Sequence, residues 1–124
     1  TPITRQPFTN RGVRDMSELK FTPGPWVVDE SRHEGSINRL EPFRHIGMVS
    51  GFQYDAGSRA ENEANAKLIA AAPDLVADLI LAASTLRRYE QSHRAKGTEE
   101  STAKAEVNAD LATCFEATIR KATA

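Results

Sequence analysis

Apolar and polar positions follow two periods in this chain, and the change falls near residue 58. Before it the spacing is that of strands. "FTPGPWVV" runs from a Pro-Gly-Pro turn into Trp26, Val27 and Val28, residues that suit a pleated, half-buried surface. "SINRL", from Ser36 to Leu40, alternates, setting Ile37 and Arg39 against Asn38 and Leu40. "RHIGMVSGFQY" places Ile46 and Met48 on one face, while Arg44, Gly47 and Gly51 interrupt a regular ladder. Glu41-Pro42 fits a hairpin turn between the last two runs. Residues 21–57 therefore predict a small antiparallel meander of three or four strands.

Residues 58–95 read as helical. Ser58 suits an N-cap, and Glu61 three positions on completes a capping-box pattern. Pro73 lacks the donor that an inner turn requires, so it either kinks one helix or begins a second. Val76, Leu79, Ile80, Ala83 and Leu86 then form one stripe, and Arg87 and Arg88 follow as partners for the helix C-terminal dipole. "HRAKGTEE" stops that helix and starts another, with Gly97 as a left-handed C-cap and Thr98 as the next N-cap. Over 98–122 the apolar positions are Ala103, Val107, Leu111, Cys114, Phe115 and Ile119. The expected architecture is α+β: the meander, then a long antiparallel helical hairpin. It occupies one domain, 21–124, preceded by an arm over 1–20 that is either mobile or swapped onto a neighbour.

Composition narrows the function classes. The 124 residues are 40% hydrophobic and 27% charged, as in a soluble globular domain. A net charge of −1 argues against sequence-independent DNA binding, which needs a basic footprint to release counterions. No apolar run approaches the roughly 18 residues of a membrane span. The single cysteine, Cys114, rules out an intrachain disulfide and fits a reducing compartment. On the apolar stripe it is expected to be a buried, small hydrophobe.

Catalytic chemistry finds little support in these residues. His33, His45 and His93 are dispersed and match no metal-ligand spacing, and there is no phosphate loop or dinucleotide fingerprint. No catalytic residue, metal or cofactor is expected. Binding has a better foundation, because Arg32, His33, Arg39, Arg44, His45 and Arg59 make the strand region basic, with Trp26, Phe43, Phe52 and Tyr54 interleaved; Arg39, Arg44, His45, Phe52, Tyr54 and Arg59 are the candidates. Guanidinium forks suit phosphates and aromatic planes suit bases. The alternative is that the arginines are solvated edge residues and the aromatics are core. Asn65 stands three and four positions before Leu68 and Ile69, on the side expected to pack. It is predicted to tie the helix to neighbouring backbone, or else to touch a ligand.

"FTPGPWVV" and "ENEANAKLIAAAPDL" together resemble a family of small phage and prophage proteins, over residues 21 to about 80. The resemblance implies a viral origin and a place of action in the bacterial host cytoplasm. A small sheet followed by two long helices also resembles, in architecture only, the phage anti-defence sponges of the Thoeris antagonist type. That resemblance implies a non-enzymatic oligomer that sequesters a cyclic nucleotide signal, and no site residue is carried over from it. The rival expectations are a protein–protein inhibitor of a host defence enzyme, anti-CRISPR-like, and a structural or regulatory oligomerising protein. The two helical stripes are wide enough to seek a second subunit, so self-association as a dimer or higher oligomer is expected.

Overall fold

The computed structural model describes residues 19–31, 34–50 and 56–123. Along the chain run β1 (Val27–Val28), β2 (Ser36–Leu40), β3 (Phe43–Met48), α1 (Ala56–Ala70), α2 (Ala72–Lys96) and α3 (Glu99–Thr123). The fold is α+β, and the chain forms two compact units. One is Thr22–Leu75; the other joins residues 19–21 to Val76 and beyond. Among the described residues no single helix is long and apolar enough to cross a membrane.

In the first unit the sheet has three strands in the order β1-β2-β3, each pair antiparallel. β2 occupies the centre, and Ser36, Ile37 and Asn38 are buried there. Gly35, at φ 77°, turns the chain into β2, and its carbonyl accepts the Val49 N–H at 2.9 Å. Glu41 and Pro42, joined by a cis bond, make the two-residue turn between β2 and β3. Ile37 pairs with Gly47 but Asn38 pairs with His45, which leaves Ile46 as an extra residue in β3. The bulge removes Ile46 from the face that simple alternation would have given it beside Met48.

α1 packs on β1 and β2. It begins at Ala56, so Ser58 lies inside the first turn and is not the N-cap that its pattern suggests. Ala66 is the wholly buried position on α1, while Asn65 beside it is exposed, as are Leu68 and Ile69. The expectation for Asn65 is corrected accordingly: a one-residue step, 100° around the helix, exchanges the packed position for an outward one. α1 and α2 meet in a bend at Ala71, whose N–H donates to Lys67 at 3.1 Å and whose carbonyl accepts Leu75 at 3.0 Å. Pro73 therefore begins a second helix, in a first turn where its missing donor is not needed. It also meets Gly24. A Cβ on Gly24 would stand 3.0 Å from Pro73 Cβ, so the "TPGPW" and "AAAPDL" stretches touch.

In the second unit Val76, Ile80, Ala83 and Ile119 form the core, with Leu19, Phe21, Leu79 and Phe115 packed against them. Leu19 and Phe21 thus belong to a packed unit, while residues 1–18 of the expected arm lie outside the described residues. α2 ends at Gly97, at φ 70°, whose N–H reaches back to the Arg94 carbonyl at 3.1 Å. Thr98 caps α3: its hydroxyl accepts the Ser101 N–H at 3.1 Å, and its carbonyl accepts Thr102 at 2.9 Å. Both caps are where their residue types predict them.

α3 is rotated relative to the stripe expected of it, which keeps only Phe115 and Ile119 on the packed side. Its buried residues are Ser101, Ala105, Ala112, Glu116 and Ile119, whereas Ala103, Val107, Leu111 and Cys114 are exposed. Cys114 is therefore an outward thiol and not a core residue. The contrast between two glycines gives a direct test of the first unit. Gly24→Ala is expected to cost about 1–3 kcal/mol through overpacking against Pro73, whereas Gly47→Ala, with nothing within 4 Å, should change stability little. Urea denaturation of both variants checks the difference.

Candidate functional site

The most organised polar cluster of the sheet is centred on Asn38, whose side chain is fully shielded. Its amide nitrogen donates to Asp29 Oδ2 at 3.0 Å and to Ser36 Oγ at 3.1 Å. Ser31 also donates to Asp29. A carboxylate only accepts, so the Asn38 NH2 group has to face Asp29 and its oxygen has to face His45. His45 Nδ1 lies 2.7 Å from that oxygen. It therefore carries the proton, and in the neutral ring Nε2 keeps the lone pair. The chain Asp29–Asn38–His45 thus fixes both the tautomer and the orientation of an exposed histidine.

Register then decides which side chains share its surroundings. Asn38, Leu40, Phe43 and His45 stand on one side of the β2–β3 ladder, because directly paired residues point the same way. Leu40 and Phe43 are exposed, as is Met48 opposite Ser36. Arg39 and Arg44 are Cα partners on the other side, two like charges facing each other across adjacent strands. Arg39 donates through Nε to the Pro42 carbonyl at 3.1 Å and through Nη1 to the Pro23 carbonyl at 3.5 Å. Arg44 is exposed, with no ion pair to a described residue.

The other residues expected to bind a ligand are not gathered here. Arg59, in the first turns of α1, donates to Glu34 from both terminal nitrogens, the Nη1 contact measuring 3.3 Å. Its Nε lies 3.4 Å from Glu63. The Glu34 hydrogen bond is the main cause that raises the Arg59 pKa above its ordinary value. Arg59 is thus already engaged by carboxylates. Asn65 is exposed on α1, and Phe52 and Tyr54 lie outside the described residues. Of the seven, the structure pairs Arg39 with Arg44 on one side of the β2–β3 ladder and places His45 on the other, beside Asn38 and Phe43. Only the strand register and the hydrogen bonds of Asn38 single out Asn38 and Asp29 as partners there.

A second cluster joins α2 to α3 and was not legible as a pair. Arg87 donates to both oxygens of Glu116, at 2.6 and 3.1 Å, to Glu90 at 2.9 Å and to Thr113 at 3.2 Å. Arg94 donates to Glu90 at 3.0 Å. Glu116 is buried, so Arg87 is its counter-ion and not merely a cation placed for the helix dipole. The Glu116 hydrogen bond raises the Arg87 pKa. Hydrogen bonding from Arg87, and then from Arg94, lowers that of Glu90. This cluster joins α2 to α3 through charge-assisted hydrogen bonds. Among the described residues, no group of three or more His, Cys, Asp or Glu side chains is arranged to hold a metal.

A family model described as Salmonella phage P22 protein Y8K6 matches residues 16–124, which takes in all the described elements of both units. No curated protein and no solved structure matches the chain.

Two outcomes are expected from these clusters. Asn38→Ala leaves Asp29 and Ser36 without their amide donor and His45 without its acceptor, costing about 1–3 kcal/mol in chemical denaturation. Glu90 has a lower pKa folded than unfolded, so its contribution is full above the unfolded value of about 4.3 and fades as pH falls through the folded one. The stability of Glu90→Gln, followed by urea midpoints on acidification, should therefore fall less steeply than that of the parent.

Proposed function

This chain belongs to the Salmonella phage P22 protein Y8K6 family, and from that premise we propose that it is a non-enzymatic phage accessory protein acting by binding. Its ligand is an anionic, planar molecule of the nucleotide class, taken up on the β2–β3 hairpin. Sequestering a cyclic nucleotide signal in the host cytoplasm would make it a counter-defence protein, and capture needs no catalytic step.

One observation carries this reading: Arg39 and Arg44 face each other across β2–β3, and among the described residues neither forms an ion pair with a carboxylate. Like charges placed directly opposite are unfavourable on their own, and a phosphate between two guanidinium groups would turn that repulsion into charge-assisted hydrogen bonds. Phe43, an exposed ring at the turn, and His45 stand on the opposite side of the ladder from these arginines, so the arginine pair alone carries the anion. Arg59 and Asn65 have no part in this smaller site. A second reading has its own support. Leu40, Phe43 and Met48 expose 56%, 46% and 50% of their surfaces on the same strands, which suits the apolar patch of a host protein.

Isothermal titration with cyclic mono- and dinucleotides and cyclic ADP-ribose separates the two. Saturable heat that is weakened at least about tenfold by Arg44→Glu, with the fold intact, is the expected result. No heat with any of them at protein concentrations above micromolar rejects the nucleotide reading. A stoichiometric host protein retained by the chain, and lost with Phe43→Asp, would establish the second reading in its place.

A further inference from the structure

The rotation of α3 leaves an apolar face unused by either helix of the hairpin. Ala103, Val107, Leu111 and Cys114 follow one another at spacings of four and three residues and all point outward. Val107 is 60% and Leu111 44% exposed. Beside this stripe a groove of about 460 Å³ runs between the helices, lined by Leu81, Ala82, Leu86, Leu111 and Phe115, with Asp78 and Thr85 at its side. A helix normally turns its largest aliphatic residues to the core. Here Ile119 does face inward, but before Glu116 the buried positions are Ser101, Ala105 and Ala112, while Val107 and Leu111 are exposed. The burial expected for Val107 and Leu111 is therefore not supplied within one copy.

We propose that this face is the two-fold interface of a homodimer in which α3 of one copy packs antiparallel against α3 of another, with the axis at Leu111. Two features of α3 identify a second copy as the occupant. First, the charges complement themselves. α3 carries Glu99 and Glu100 in its first turn and Arg120 and Lys121 in its last. Leu111 is the midpoint of Glu99–Thr123, so antiparallel overlap about it brings each acidic end beside the basic end of the other copy. It also opposes the helix dipoles. The same overlap puts Val107 opposite Phe115 of the second copy and Leu111 opposite its own equivalent.

Second, the area suffices. A 25-residue helix is about 37 Å long, and two helices side by side at about 9 Å present a face roughly 18–20 Å wide. About 700 Å² per copy, or about 1,400 Å² in all, falls within the size range of stable interfaces. The product is a four-helix bundle built from two hairpins. This interface is independent of the proposed ligand site, so the failure of either leaves the other standing.

Sedimentation equilibrium over a concentration series provides the test. The parent chain is expected to be dimeric at micromolar concentrations. Leu111→Glu, at an exposed position that should leave the circular dichroism spectrum unchanged, raises the dissociation constant at least about a hundredfold, by burying two facing carboxylates. Glu100→Lys or Lys121→Glu alone weakens association, and the double variant restores it. Cys114 serves as a built-in probe: a thiol reagent modifies it more slowly in the dimer than in Leu111→Glu. A parent chain that stays monomeric up to about 100 μM, well above the affinity such an area normally supports, overturns the proposal. So does a dimer indifferent to Leu111→Glu, and so does a charge exchange that fails to restore association.

Discussion

The contact between Arg87 and Glu116 sets the rotation of α3, and much of the second unit follows from it. A carboxylate cannot be buried without a counter-ion, because desolvation would cost several kcal/mol. Glu116 is buried and is held on both oxygens by one guanidinium from α2. Once that fork is made, the positions sharing its side of α3 are determined by helical geometry. Ala112, Ala105 and Ser101 face α2, and Val107, Leu111 and Cys114 do not. The ion pair and the packing of Ile119 and Phe115 on the core thus act on the same side of the helix.

The first unit is organised by the same kind of constraint on a smaller scale. Asn38 sits at the centre of the sheet, where an unsatisfied amide would be costly. Its partners supply the remedy, and in doing so they orient His45. The bulge at Ile46 and the turn at Glu41-Pro42 then decide which residues stand opposite each other. Arg39 faces Arg44 as a consequence of that register. In both units buried polar groups, satisfied by a few specific partners, determine what is left on the outside.

Some of this could be read from single residues. The strand run "SINRL", the turn at Glu41-Pro42, the restart at Pro73 and the caps at Gly97 and Thr98 all follow from local backbone preferences, and each lies where its residue types place it. Other assignments depended on which way a helix faces, and there periodicity misled. Asn65 lies one position from the buried Ala66, and Cys114 lies among apolar residues that point to solvent. Ser58 carried a good capping pattern, but the helix had already begun at Ala56. Arg87 resembled a helix-end cation until its partner, 29 residues away, was in place.

By itself the sequence determined the elements, their order, the α+β class and the breaks between helices, because these depend on dihedral preferences and donors within a few residues. Tertiary structure alone decided the rotation of α3, the faces of Asn65 and Cys114, and the pairing of Arg39 with Arg44 and of Asn38 with His45. Those outcomes rest on contacts between residues remote in the chain. A buried charge or amide must find its partner wherever the fold places it, and no local pattern encodes that search.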